Sequence, residues 1–128
     1  APIAIIDKRR PKANVSEVMN IIGEVAGKTC VIVDDLIDTA GTLCNAAAAL
    51  VEKGRAKKVI ACATHGVLSG PAIERLEKSV IDELVILDTI PLNDRTRHPM
   101  IKTISVAPVF AEAIERIYED KPVSPLFV

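Results

Sequence analysis

From Thr29 to Leu50 the chain passes through an apolar stretch rich in β-branched residues, an aspartate pair, a turn of small residues and four successive alanines. Few folds accept that order. Thr29 to Val33 is apolar apart from Thr29 and is bounded by Gly27 and by Asp34-Asp35. Uninterrupted apolarity predicts a central strand buried on both faces, since a strand with one wet face would alternate. Leu43, Ala46, Ala47, Leu50 and Val51 then follow helical spacing, predicting a helix from about Gly41 to Lys53. Its alanines favour the helix and allow close approach to a sheet, and Gly54 is placed to end it.

The same unit recurs. Lys58 to Thr64 and Leu84 to Leu87 read as further buried strands. A second helix is expected after Ser69-Gly70, with Pro71 in its first turn and Ala72, Ile73 and Leu76 inward. A last helix begins near Pro108 and lays Phe110, Ala113, Ile114, Ile117 and Tyr118 on one face. Alternating strands and helices with short connections give an α/β class: an open, mainly parallel sheet flanked by helices, with right-handed crossovers. Two stretches lie outside that scheme. Lys8 to Glu17 is basic and turn-rich and is expected to be a mobile loop. Asn93 to Pro99 is a polar connection before the last strand.

Phe110, Tyr118 and Phe127 are the only aromatic residues among 128, so the core must be aliphatic, and a chain of this size is expected to bury it unaided as one domain. Sixteen basic and seventeen acidic side chains leave a formal charge of −1, with no field for nucleic acid or an anionic membrane and few rings to stack bases. No run approaches the roughly 20 apolar residues of a membrane span, and no signal peptide opens the chain. A soluble cytoplasmic protein is expected. Cys30, Cys44 and Cys62 are odd in number and widely spaced inside apolar segments, which predicts buried reduced thiols. The chain opens without Met, already inside an apolar run at Ile3 to Ile6, and reads as a piece of something longer.

Chemistry concentrates in Asp34-Asp35-Leu36-Ile37-Asp38-Thr39-Ala40-Gly41-Thr42. In an open α/β sheet, ligands bind at the carboxyl ends of the strands, where this turn lies. The small residues Thr39, Ala40, Gly41 and Thr42 let backbone N–H groups converge on an oxyanion at the helix N-terminus, with two hydroxyls as further donors. That suits a phosphate. The Lys-Ser/Thr ending of a P-loop and the Gly-x-Gly-x-x-Gly of dinucleotide sites are absent. Adjacent carboxylates can accept hydrogen bonds from sugar hydroxyls or hold Mg²⁺ through water, so the combination suits a sugar phosphate. Taken alone, an acidic pair at a strand end is more often turn chemistry.

The complete pattern, two acidic residues followed by Asp38-Thr39-Ala40-Gly41-Thr42, resembles the phosphoribosyl diphosphate loop of the type I phosphoribosyltransferase fold. Ala4 to Pro11, Asn14-Val15, Val18-Met19, Ala63 to Pro71 and Ala111 to Ile114 together resemble the ribose-phosphate pyrophosphokinase (phosphoribosyl pyrophosphate synthetase) family across essentially the whole chain. The resemblance implies an enzyme of nucleotide biosynthesis that transfers the β,γ-diphosphoryl group of ATP to the anomeric hydroxyl of ribose 5-phosphate, with Mg²⁺, giving phosphoribosyl diphosphate and AMP. It implies that Asp38, Thr39, Ala40, Gly41 and Thr42 hold the 5-phosphate and that Asp34, helped by Asp35, holds the ribose hydroxyls. Lys8 and Arg10 match catalytic flexible-loop positions, with Arg10 also at the substrate, where cations stabilise the transferring group.

It further implies a C-terminal domain. An upstream half would supply most of the ATP pocket and the metal-binding His and Asp, so no metal ligand is assigned here. The family's enzymes are homo-oligomers, with a hexamer expected for the full-length protein. The ending Pro122 to Phe127 resembles a terminus that helps form a phosphate and ADP regulatory site, although Pro122 replaces a usual Ser. The isolated fragment is expected to bind ribose 5-phosphate or phosphate weakly and to make no product. Two alternatives are a nucleobase phosphoribosyltransferase, against which Lys8 to Pro11 argues, and a non-catalytic regulatory homologue, against which Lys8, Arg10 and Asp38 argue. His65 is expected to have a structural hydrogen-bonding role, His98 to be exposed, and Ser69-Gly70-Pro71 to be a helix start.

Overall fold

The structure, a computed structural model, describes residues 1–9 and 18–127. Strands β1 (Ile5–Arg9) and β2 (Val18–Ile22) form an antiparallel hairpin with Lys8 opposite Met19. The main sheet is parallel throughout, in the order β3 (Thr29–Ile37), β4 (Lys58–Gly66), β5 (Glu83–Leu87), β6 (Ile101–Ile104). Helices α1 (Gly41–Glu52) and α2 (Ala72–Glu77) make the first two crossovers, α3 (Ala107–Tyr118) follows β6, and a short 3-10 turn spans Ser124–Phe127. The α/β class and the parallel sheet flanked by helices are as the sequence pattern predicts. No helix among the described residues is long and apolar enough to cross a membrane.

Strand order explains where the core sits. Right-handed crossovers that step in one direction across a sheet place their helices on one face. Val59, Ala61, Ala63, Leu84, Ile86 and Ile101 alternate along the strands toward that face, where they meet Leu43, Ala47 and Leu50 of α1 and Ala72 and Leu76 of α2. Alanine in β4 and α1 lets helix and sheet approach closely, the physical use of an aliphatic composition. The hairpin adds a small cluster in which Met19 packs with Ala46 and Ala49 of α1.

The opposite face is much less covered, and this corrects the expectation for Thr29 to Val33. That strand lies at the edge of the sheet, with Val31 57% and Val33 78% exposed, while Cys30 and Ile32 turn toward the core. Its outer edge has no ladder partner among the described residues. A cavity of about 470 Å³ runs beside it, lined by residues 1–4, by 29–33 and by Val25 and Leu50 among others. The last helix has the expected apolar stripe, yet none of its residues is buried and Tyr118 is 89% exposed. Apolar surface of β3 and α3 thus lies outside the buried core.

Smaller expectations are also revised. Lys8 lies in β1 rather than in a loop, and the remainder of the basic stretch, 10–17, is outside the described residues. Beyond Gly54, Arg55 takes the left-handed conformation, with φ +57, while Ala56 N–H donates to Leu50 O at 2.9 Å. Gly54 instead provides room, since a Cβ there would meet Val25 Cγ2 at 2.6 Å and Leu50 O at 2.7 Å. The three cysteines are free and only partly buried. Burial nonetheless pushes the Cys44 thiol pKa up, against opposing effects of Ser79 and Arg75.

Candidate functional site

β3 runs four residues further than the sequence pattern gave, so Asp34 and Asp35 are strand residues and the turn shortens to Asp38-Thr39-Ala40. The extension is held by pairing with β4, Leu36 opposite His65 and Ile37 opposite Gly66. The acidic pair thereby gains strand geometry, with successive side chains on opposite faces. Asp34 lines a cleft of about 260 Å³ together with residues 36–43, whereas Asp35 is not among its lining residues. Of the predicted binding residues, Asp34, Asp38, Thr39, Ala40, Gly41 and Thr42 are therefore gathered around one concavity.

The backbone of that turn fits an anion. Ala40 has φ +59 and ψ +7, a left-handed conformation that L residues adopt at a cost of roughly 1–2 kcal/mol. Its burial in the core, at 5% exposure, holds it there. A left-handed residue at the mouth of a helix gathers consecutive N–H groups into a concave nest. The first-turn N–H groups of α1 have no carbonyl four residues back within the helix, and no side chain caps them. α1 also carries no acidic residue in its first turn, so the helix dipole there is left for an external anion. Thr39 and Thr42 are exposed at the same place.

The loop after β4 braces the turn from behind. Val67 N–H and Leu68 N–H both donate to Ile37 O, at 2.9 and 3.1 Å, and Ser69 N–H donates to Asp38 O at 3.0 Å. The Ser69 hydroxyl donates to Asp38 Oδ1, and Arg75 Nη1 donates to Thr39 O at 3.0 Å. Ser69 and Arg75 are contacts that sequence reading missed. Ser69-Gly70-Pro71 does precede a helix, but Pro71 is the cap residue and no side chain caps that helix.

Histidines divide as follows. His65 Nδ1 lies 2.8 Å from Thr89 Oγ1, whose hydrogen goes to Thr64 O at 3.1 Å, so the imidazole is the donor in this pair. That agrees with a structural role. His98 departs from its expectation: it is partly buried, pairs through Nε2 with Glu77 Oε1 at 3.1 Å, and accepts from Met100 N–H. Asp88 accepts from Val106 N–H at 2.8 Å. A hydrogen bond with Ser105, then that of Val106, holds the Asp88 carboxyl below its ordinary pKa.

Lys8 sits in the hairpin, and Arg10 lies outside the described residues. Among the described residues no group of three His, Cys, Asp or Glu gathers in a metal-binding arrangement. Mg²⁺ prefers near-octahedral oxygen coordination and usually keeps several waters. These residues do not form a protein cage for it, and Asp34 is the one cleft-lining carboxylate besides Asp38.

Comparison with known proteins adds the decisive observation. The family model of the phosphoribosyl synthetase-associated domain matches residues 4–128. The chain belongs to that family. Members similar to it include the ribose-phosphate pyrophosphokinases of Clostridium acetobutylicum, 68% identical over 127 residues, and of Caldanaerobacter subterraneus subsp. tengcongensis, 67% identical over 127 residues. Each alignment covers 99% of this chain, and the chain spans 40% of the length of each of these curated relatives. A crystal structure of phosphoribosylpyrophosphate synthetase from Mycobacterium smegmatis superimposes with a TM-score of 0.82 at 41% identity, covering 93% of this chain and 37% of that one. The family's sheet and crossover arrangement are thus those described above.

Proposed function

We propose that this chain is the sugar-phosphate-holding part of a ribose-phosphate diphosphokinase. The anomeric hydroxyl oxygen of ribose 5-phosphate attacks the β-phosphorus of ATP, the bond from that phosphorus to the oxygen bridging to the α-phosphorus breaks, and AMP departs. The hydroxyl proton is released. The observation that carries this reading is the concavity in which a left-handed Ala40 presents the N-terminus of α1 beside the carboxylate of Asp34. One end of that arrangement is suited to a phosphate and the other to sugar hydroxyls. The names of the relatives support the reaction class.

Within this reading the 5-phosphate sits on Asp38 to Thr42 and Asp34 accepts from the ribose. Asp35, on the other face of β3, acts indirectly: its N–H donates to Asp34 Oδ1 at 2.8 Å and fixes that carboxylate. Lys8 and Arg10 stabilise the transferring diphosphoryl group, as cations do in phosphoryl transfer. Mg²⁺, accompanying ATP, would supply charge neutralisation at the phosphates, with most of its protein ligands expected from the rest of the enzyme. The C-terminal position, cytoplasmic location, homo-oligomeric assembly and regulation by phosphate and ADP belong to the same proposal.

Phosphorus NMR of the complete enzyme with ATP, Mg²⁺ and ribose 5-phosphate tests it. Appearance of AMP and phosphoribosyl diphosphate together is expected. Release of diphosphate from added phosphoribosyl diphosphate on a nucleobase, or no reaction of either kind, contradicts it.

A further inference from the structure

Beyond the cleft residues, the loop depends on two side chains that do not line it. Arg75 projects from α2 and donates through Nη1 to the carbonyl of Thr39 at 3.0 Å. It lines a separate groove of about 420 Å³ between α1 and α2, with Gly41, Cys44 and Ser79, and is absent from the lining of the sugar-phosphate cleft. Ser69, in the loop between β4 and α2, donates its hydroxyl to Asp38 and its backbone N–H to Asp38 O at 3.0 Å. Two consecutive carbonyls of the turn, at Asp38 and Thr39, are thus tied to the loop and helix that follow β4.

Peptide geometry gives those ties a consequence. The peptide joining Thr39 to Ala40 is trans, as are all peptides among the described residues. Its C=O and N–H point in opposite directions across a rigid plane. With the Thr39 carbonyl anchored on Arg75, the Ala40 N–H is directed away from α2. Were the peptide to flip, the carbonyl would take the place of that N–H and turn a partial negative charge toward the anion. Ala40 is left-handed, a costly conformation that persists only where neighbouring contacts select it. The guanidinium supplies such a contact, and it lies close behind Gly41: a Cβ there would stand 3.1 Å from Arg75 Nη1.

We infer that Arg75 and Ser69 are positioning residues for the phosphate-binding turn, setting the affinity for the sugar phosphate while leaving the transfer step to other groups. This rests on the functional reading above. Neither side chain touches the reacting atoms, so their loss should appear in the KM for one substrate only.

The test is steady-state kinetics of the complete enzyme. Arg75→Ala is expected to raise the KM for ribose 5-phosphate about tenfold, the scale of one lost charge-assisted hydrogen bond. It should leave the KM for ATP unchanged and kcat within about twofold. Arg75→Lys, which keeps a donor and the charge, should recover most of the loss, an outcome that a general loss of stability would not give. An unchanged KM for ribose 5-phosphate, or equal rises for both substrates, overturns the inference. If Arg75→Ala does not fold, Ser69→Ala with Ser69→Thr as its conservative partner decides by the same pattern. Absence of ribose 5-phosphate-dependent activity in the unsubstituted enzyme contradicts the functional reading itself, and the inference falls with it. Normal wild-type activity with unaltered variants removes the inference alone.

Discussion

Arg55 adopts a left-handed conformation, φ +57, just past the end of α1, with its side chain exposed. Arg55→Gly is predicted to stabilise the fold by about 0.5–1 kcal/mol, the strain relieved less the added entropy of the unfolded chain. Urea unfolding measures it, and a destabilised variant would contradict it. One residue earlier the effect reverses. Gly54→Ala forces a methyl to within 2.6 Å of Val25 Cγ2 and 2.7 Å of Leu50 O, and is predicted to cost about 1–3 kcal/mol in the same assay. In the sequence Gly54 was the residue placed to end the helix, yet it is Arg55 that takes the left-handed conformation. Only the packing of Val25 over the end of α1 separates them. Ser69 and Arg75 were invisible for a related reason: their partners lie in another loop, and no spacing encodes a hydrogen bond made across two crossovers.

At the scale of elements, α1 and β4 were legible because helical spacing of Leu43, Ala46, Ala47 and Leu50, and the apolar run through Val59 and Ala61, each record burial directly. The reading of β3 as a central strand failed in the structure although its apolar residues are present, and the apolar stripe of α3 is found but not buried. Apolarity records what a segment is suited to meet, and β3 meets no partner on its outer edge among the described residues. At the start of α3, Asp88 accepts from the N–H of the cap residue Val106, and Ser105 Oγ accepts from Ala107 N–H. The folded pKa of Asp88 is lowered from 3.8, so its contribution to stability is present above that value and disappears as pH falls through the lowered one. Unfolding of the wild-type chain and of Asp88→Asn should therefore differ near neutrality and converge as pH is lowered below the ordinary aspartate range. A difference that persists or grows in acid would contradict this.

For the whole molecule, an edge strand with Val33 78% exposed and a helix with no buried residue amount to apolar surface in search of cover. The 128-residue chain alone is predicted to self-associate with rising concentration, and Val33→Lys to reduce that association, as light scattering would show. A chain monomeric at every concentration would contradict it. The chain spans 40% of the length of its relatives from Clostridium acetobutylicum and Caldanaerobacter. Binding at the turn is expected to draw on β3, α1, the loop after β4 and Arg75 of α2, all of which this chain carries. Amide chemical shifts of the chain during titration with ribose 5-phosphate therefore decide whether the turn holds the sugar phosphate. Saturable shifts centred on the N–H groups of Thr39, Ala40, Gly41 and Thr42 are predicted, reproduced in weaker form by inorganic phosphate. Shifts scattered elsewhere, or none at those residues at millimolar sugar phosphate, would contradict it.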